Sequence, residues 1–363
     1  MAAAHGPGRR GLLGAAGAVA FAPPPAAAQT GDEPLREIAA RRGVAFGCVV
    51  HSRWLHRNRA LAAIVAREAA MLVPEGDGKW WELRPDEATF DFTGLDGIFA
   101  FAARHGQSVR GHTLVWDTAM RDWTLAVLEQ GPARAQALLE AHLDGVLGHT
   151  APVIRDWDVA NEVIADPWKS DELLKDSPWL RTLGPGYIDL AYRLARRRDP
   201  GLVLTYNDYG CEHDTAYDDE KRRRVLALVR GMKDRGVPLD AVGLQGHLHR
   251  DAAFSAAKVT EFIGALRALD LRVIVTELDV IEPEAQSDLA AREASSAALL
   301  HAFVSTVLEA GVRAVLCWDL ADPADRTGGG PPSPPRLLPL NAGLRRTPNW
   351  GALARALEGR PWP

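Results

Sequence analysis

Arg272-Val273-Ile274-Val275-Thr276 runs straight into Glu277-Leu278-Asp279. The Val-Ile-Val core has no polar alternation, so both faces of this stretch are expected to be buried, as in a parallel sheet. Just upstream, Val259, Phe262, Ile263, Leu266 and Leu269 fall at i, i+3, i+4, i+7 and i+10, the stripe of an amphipathic helix. Before that helix lies another short apolar run, Ala241-Val242-Gly243-Leu244-Gln245. Strand, helix and strand in succession make a βαβ unit.

Outward from this unit the same alternation recurs. Further short runs are Val44–Val50, Ala69–Val73, Ser108–Trp116, Val153–Ala160, Leu202–Tyr206 and Val312–Trp318, which brings the total to eight. Val225, Leu226, Leu228, Val229 and Met232 form a second helical stripe behind Lys221–Arg224. That basic run reads as a solvated helix face, as does Arg196–Arg198, and Trp350–Leu357 supplies a closing helix. Eight βα units predict an α/β protein built as a single (β/α)8 TIM barrel. A doubly wound open sheet is the competing arrangement. It usually carries a glycine-rich phosphate loop after its first strand, whereas here that strand leads into Cys48-Val49-Val50-His51-Ser52.

Composition fits this reading. With 47% hydrophobic and 25% charged residues, the 363-residue chain is neither disordered nor collagen-like nor a disulfide-stapled miniature. A net charge of −5 argues against a nucleic-acid partner. Residues 1–30 read as an export signal: Arg9-Arg10, an apolar run from Gly11 to Ala22, then Ala26-Ala27-Ala28. The paired arginines fit a twin-arginine signal loosely. Residues 31–363 then form one catalytic domain, exported to the periplasm or secreted, with no membrane span and expected to be monomeric. Cys48, Cys211 and Cys317 sit in or beside apolar runs and read as buried free thiols.

Barrel enzymes carry their chemistry at the C-terminal ends of the strands. Those ends read Arg110-Gly111-His112-Thr113-Leu114-Val115-Trp116, Trp157-Asp158-Val159-Ala160-Asn161-Glu162, Tyr206-Asn207-Asp208-Tyr209, Gln245-Gly246-His247-Leu248-His249, Thr276-Glu277-Leu278-Asp279 and Cys317-Trp318-Asp319. Polar groups and aromatics collect on one rim, which suits sugars: aromatic faces cover the C–H side of a ring and polar side chains bind hydroxyls. Glu162 and Glu277 suit glycoside hydrolysis, one as a proton donor and one as an ionised nucleophile. The donor must keep its proton near neutral pH, which calls for a raised pKa. Asp279 either orients His247 or stabilises its turn, and Trp157 reads as packing. A metal-dependent hydrolase built on His112, His247, His249 and Asp279 is a weaker alternative, because strand one adds no His-x-His pair.

The blocks at 110–116, 157–162, 206–209, 242–247 and 276–279 occur in the order seen in glycoside hydrolase family ten, the endo-1,4-β-xylanases, which the chain resembles from about Phe46 to Trp350. The resemblance implies a retaining endo-hydrolase of β-1,4-xylan that needs no cofactor and no metal. It implies Glu162 as general acid/base, Glu277 as nucleophile, and Asn161 on the sugar 2-hydroxyl. His247 would bond the nucleophile with Asp279 behind it. Lys79, His112, Trp116, Gln245 and Trp318 would line the non-reducing side, with Tyr209 near the aglycone. The chain departs from the family pattern at Gly76 (an Asn), at Asp117, Ala119 and Arg121 (His, Gln and Pro), at Asp319 (a Gly), and at 328–335, where a lid Trp is replaced by a Gly/Pro-rich stretch. These departures keep two other readings open: a retaining β-glycanase for another polysaccharide, and a carbohydrate-binding homologue weak in catalysis.

Overall fold

A computed structural model describes residues 33–282, 288–321 and 336–363. The expected signal segment 1–30 and the stretch 328–335 lie outside the described residues. Pro34–Pro363 is one compact unit. Its strands are β1 (Ala45–Val50), β2 (Met71–Pro74), β3 (Ser108–Gly111), β4 (Ile154–Asn161), β5 (Val203–Asp208), β6 (Ala241–Leu244), β7 (His247–His249), β8 (Arg272–Ile281) and β9 (Ala314–Cys317). Neighbours pair in parallel; β6 pairs with β8 and β9 pairs with β1, so eight strands close into a ring while β7 rides on the far end of β8. The expected (β/α)8 barrel is what forms.

Side-chain alternation along each strand separates an inner layer from an outer one. Val49, Val73 and Leu316 make a small inner cluster with Met71 and Trp318. Phe46, Cys48, Val50, Leu72, Val315 and Cys317 join the large core shared with the helices. Both faces are therefore apolar, and that is why the strands read as unbroken hydrophobic runs. Gly47 is required by close approach: a Cβ there would lie 2.2 Å from the Met71 carbonyl oxygen and 2.8 Å from Leu316. The helix over Ala256–Arg267 buries Val259, Phe262, Ile263 and Leu266, and Ser255 caps it by accepting from the Lys258 N–H at 3.4 Å. The closing helix is Pro348–Glu358, with Pro at its first turn.

Three local differences from the expected layout matter. β3 stops at Gly111 instead of reaching Trp116. Arg110 and His112 both spend their side chains on the buried carboxylate of Asp158, and the chain rejoins β4 only where Leu114 and Val115 donate to Asp158 and Val159, each at 3.0 Å. β8 runs five residues further than the apolar run, because Asp279–Ile281 pairs with His247–His249. The Lys221–Arg224 run is not a solvated face: Lys221, Arg222 and Arg224 are buried. Each has bought its burial with partners. Lys221 pairs with Asp208 at 2.9 Å, Arg222 donates to the Cys211 and His213 carbonyls, and Arg224 donates to the Ala165 and Glu172 carbonyls. A long cationic stem can pass through a core when its head finds oxygen atoms. The cysteines are buried and free as expected.

Candidate active site

Glu162 follows β4 directly, with its backbone in the left-handed region at φ 54°. A side chain there costs on the order of 1–3 kcal/mol and persists where surroundings hold it. Here its N–H is tied to the Asn207 carbonyl at 3.0 Å, and both carboxylate oxygens are claimed. The Trp116 indole donates to Oε2 at 2.9 Å and the Gln245 amide donates to Oε1 at 2.9 Å. Trp116 and Gln245, expected on the non-reducing wall, thus bear directly on this carboxylate.

Glu277, within β8, is buried. Its N–H bonds the Gln245 carbonyl at 2.8 Å, so one residue fixes both glutamates. Asn207 donates to Oε1 at 2.7 Å, and the His247 Nε2 lies 3.3 Å from Oε2. The His112 Nδ1 is 4.0 Å away. Burial pushes the Glu277 carboxyl upward, but the His247 hydrogen bond and the positive fields of His112, His247 and Lys79 outweigh it and hold the group below the ordinary carboxylate range. Burial likewise works against a charged His247. Asp279, whose Oδ1 is 2.8 Å from Nδ1, and Glu277 reverse this and hold the imidazole well above its usual value. Asp279 thus contacts the His247 ring directly, at the nitrogen opposite the one facing Glu277.

Asn161 accepts from Asn207 at 2.9 Å, and the same Asn207 amide reaches Glu277. Lys79 is buried among Trp116, Trp318 and Trp81, its Nζ 4.8, 5.4 and 5.6 Å from their ring centres. Trp318 also stands edge-on to His112 and His247. Tyr209 lies with Glu162, Gln245 and His247 on a cavity of about 420 Å³. Trp157 is wholly buried, as packing requires. The departures find local partners. Gly76 leaves room for the His51 ring, which would lie 3.2 Å from a Cβ there. Asp117 pairs with Lys175 at 2.7 Å, and Arg121 donates to the Trp81 carbonyl at 2.6 Å.

Three contributors escaped the sequence reading. Asn207 stands inside the Tyr206–Tyr209 segment, yet only the structure shows that it bridges Asn161 and Glu277. Buried Glu212, whose carboxyl burial pushes up to about 7, accepts from the Gly246 N–H at 2.9 Å behind His247. Arg336 bridges Asp279 Oδ2 at 3.1 Å and Asp319 Oδ2 at 2.7 Å, its side chain almost wholly enclosed. It neutralises two buried carboxylates, and a chain of contacts runs Asp319, Arg336, Asp279, His247, Glu277.

Arg336→Met should destabilise the protein by about 3–5 kcal/mol, the cost of removing one member of a buried ion-pair network. The sign of its pH dependence follows from Asp279. Burial pushes that carboxyl up, but His247 and Arg336 together hold it below its usual value. Its contribution is thus full above the unfolded pKa of about 4 and fades as pH falls through the depressed value. Urea unfolding of both proteins should show a gap that is widest at neutral pH and narrows in acid. A constant gap would contradict the linkage.

The family model described as glycosyl hydrolase family 10 matches residues 34–335. Endo-1,4-beta-xylanase B of Paenibacillus barcinonensis is 34% identical over 238 residues, 65% of this chain and 68% of that protein. Endo-1,4-beta-xylanase 1 of Humicola insolens is 31% identical over 268 residues; the match takes in 72% of this chain and 59% of that protein. Among solved structures, xylanase 10B of Thermotoga petrophila in complex with xylobiose superposes with a TM-score of 0.82 at 25% identity, covering 91% of this chain and 98% of that one. Native xylanase 10B of Thermotoga maritima gives 0.81 at 27% identity, with 90% and 98% covered.

Proposed function

The chain belongs to glycosyl hydrolase family 10, and from that premise we propose that it is a retaining endo-1,4-β-xylanase in which Glu277 is the nucleophile and Glu162 the acid/base. One observation carries the assignment of roles: the two carboxylates meet opposite environments. Glu277 is enclosed and held ionised against a protonated imidazole. Glu162 is half-buried and touches two neutral donors, an indole and an amide. Paired carboxylates kept in unlike settings are how one site supplies both an acid and a nucleophile.

The reaction follows. Glu277 attacks the anomeric carbon as Glu162 gives its proton to the glycosidic oxygen, and the C–O bond to the leaving chain breaks. A glycosyl ester on Glu277 results. Water, losing a proton to Glu162, then attacks the same carbon; the ester opens, Glu277 is freed and Glu162 is again protonated. Asn161, bonded through Asn207 to the nucleophile, suits the sugar 2-hydroxyl. Lys79, Trp116 and Trp318 suit the non-reducing side of the polysaccharide.

The test is the acid limb of kcat/KM on xylan, which reports ionisation of the free enzyme. With His247 present, Glu277 loses its proton below the ordinary carboxylate pKa of about 4.3. In His247→Asn the hydrogen bond and the cation go while burial stays, so the limb should move up by about one pH unit or more. An unmoved limb would show that His247 does not set the charge of the nucleophile.

A further inference from the structure

Glu212 lies in the loop after β5 and is almost wholly buried. A carboxyl withdrawn from water needs partners, and here the backbone supplies them. Oε2 accepts from the Cys211 N–H at 2.6 Å, and Oε1 accepts from the Gly246 N–H at 2.9 Å. The second bond crosses from the β5 loop to the turn between β6 and β7. Gly246 sits in that turn in the left-handed region at φ +80°, and a Cβ there would lie 3.1 Å from Val275 Cγ1. Its carbonyl accepts from the Asp279 N–H at 3.3 Å.

The residues on either side of Gly246 give this contact its meaning. Gln245 donates its amide to Glu162 at 2.9 Å, and its carbonyl accepts the Glu277 N–H at 2.8 Å. His247 places Nε2 3.3 Å from Glu277 Oε2. A shift of the Gly246 peptide therefore disturbs a contact of each glutamate at once. Glycine is conformationally permissive and does not hold such a peptide unaided. The anchor must come from outside, and Glu212 is itself well fixed. Buried Arg222 donates to the Cys211 and His213 carbonyls on either side of it, each at 2.9 Å. Asp218 accepts from the His213 N–H at 2.8 Å, and the His249 N–H donates to His213 Nε2 at 2.8 Å.

We propose that Glu212 is a positioning residue: through the Gly246 peptide it keeps Gln245 on the acid/base and His247 on the nucleophile. The assignment rests on the glycanase reading above. What matters in it is the reach of the acceptor oxygen. Burial raises the Glu212 carboxyl to about 7; Asp218 adds to this, while the Gly246 and Cys211 N–H groups and the His247 cation oppose it. At the acid limb set by Glu277, below a pH of about 4.3, Glu212 is therefore a neutral group. A glutamine matches it there in both charge and length.

The experiment compares Glu212→Gln with Glu212→Asp on xylan. The shorter side chain keeps the carboxyl but withdraws it by about one bond length, about 1.5 Å, out of hydrogen-bond reach of Gly246. In Glu212→Asp, kcat should fall by about tenfold to a hundredfold with KM nearly unchanged, the scale of a misaimed catalytic group. The acid limb of kcat/KM should move up by about half a pH unit or more, in the same direction as in His247→Asn. Glu212→Gln should restore most of both. Gly246→Ala disturbs the same peptide from its other side, with Glu212 intact, and should reproduce the loss and the shift. An unmoved limb in whichever of Glu212→Asp and Gly246→Ala folds overturns the positioning role, because a residue that merely fills the core would not move it. Equal damage from Gln and Asp overturns it too. Both results leave the enzyme assignment standing, whereas a wild-type protein inactive on xylan overturns that assignment as well.

Discussion

Glu277→Ala should abolish hydrolysis of xylan, with kcat lowered on the order of 10⁵-fold, the scale seen when a covalent nucleophile is removed from a preorganised site. The wild-type carboxylate is ionised at little cost because the protein has already placed a proton on His247 and an amide on Oε1. Removing it deletes the attacking atom and leaves an imidazolium with only Asp279 for a partner. Fold stability should change far less than rate, since Asp279 still holds the ring at 2.8 Å. Reducing-end release at saturating xylan measures the effect. Activity within tenfold of wild type would mean that another group attacks the sugar.

Glu162→Ala should separate two classes of substrate. General acid catalysis contributes about 10²–10⁴-fold where the leaving group needs a proton. Xylan leaves as an alkoxide unless protonated, so its turnover should fall by that amount. A dinitrophenyl xylobioside leaves unaided, so its first turnover should stay fast. Its second step still needs Glu162 to take a proton from water, and the glycosyl ester on Glu277 should accumulate. A burst of dinitrophenol followed by a slow steady state is the expected trace. Equal losses on both substrates, with no burst, would remove Glu162 from the acid/base role.

What could be read from the chain was set by where each residue stands relative to a strand. Glu162, His247, Glu277 and Trp318 end or closely follow apolar runs, and a barrel places such positions at one rim. The barrel itself was legible because its strands are covered on both sides. Bridging contacts were not. Asn207 looks like any polar strand residue until Thr276, Asn161 and Glu277 are seen around it. Arg336 follows a Gly/Pro-rich stretch far from any strand end, and nothing local announces that Asp279 and Asp319 share it. Lys221–Arg224 misled for a related reason: four adjacent charges favour solvent unless acceptors wait below, and here the Asp208 carboxylate and carbonyls of the neighbouring loops supply them.

The most direct test of the central claim is to trap the covalent intermediate. A 2-deoxy-2-fluoro-xylobioside with a dinitrophenyl leaving group destabilises the oxocarbenium-like transition states, so the glycosyl-enzyme outlives its formation. Peptide mass spectrometry of the inactivated protein should place one fluoro-xylobiosyl group on Glu277 and none on Glu162. A label on any other residue, or inactivation with no label, would contradict the account.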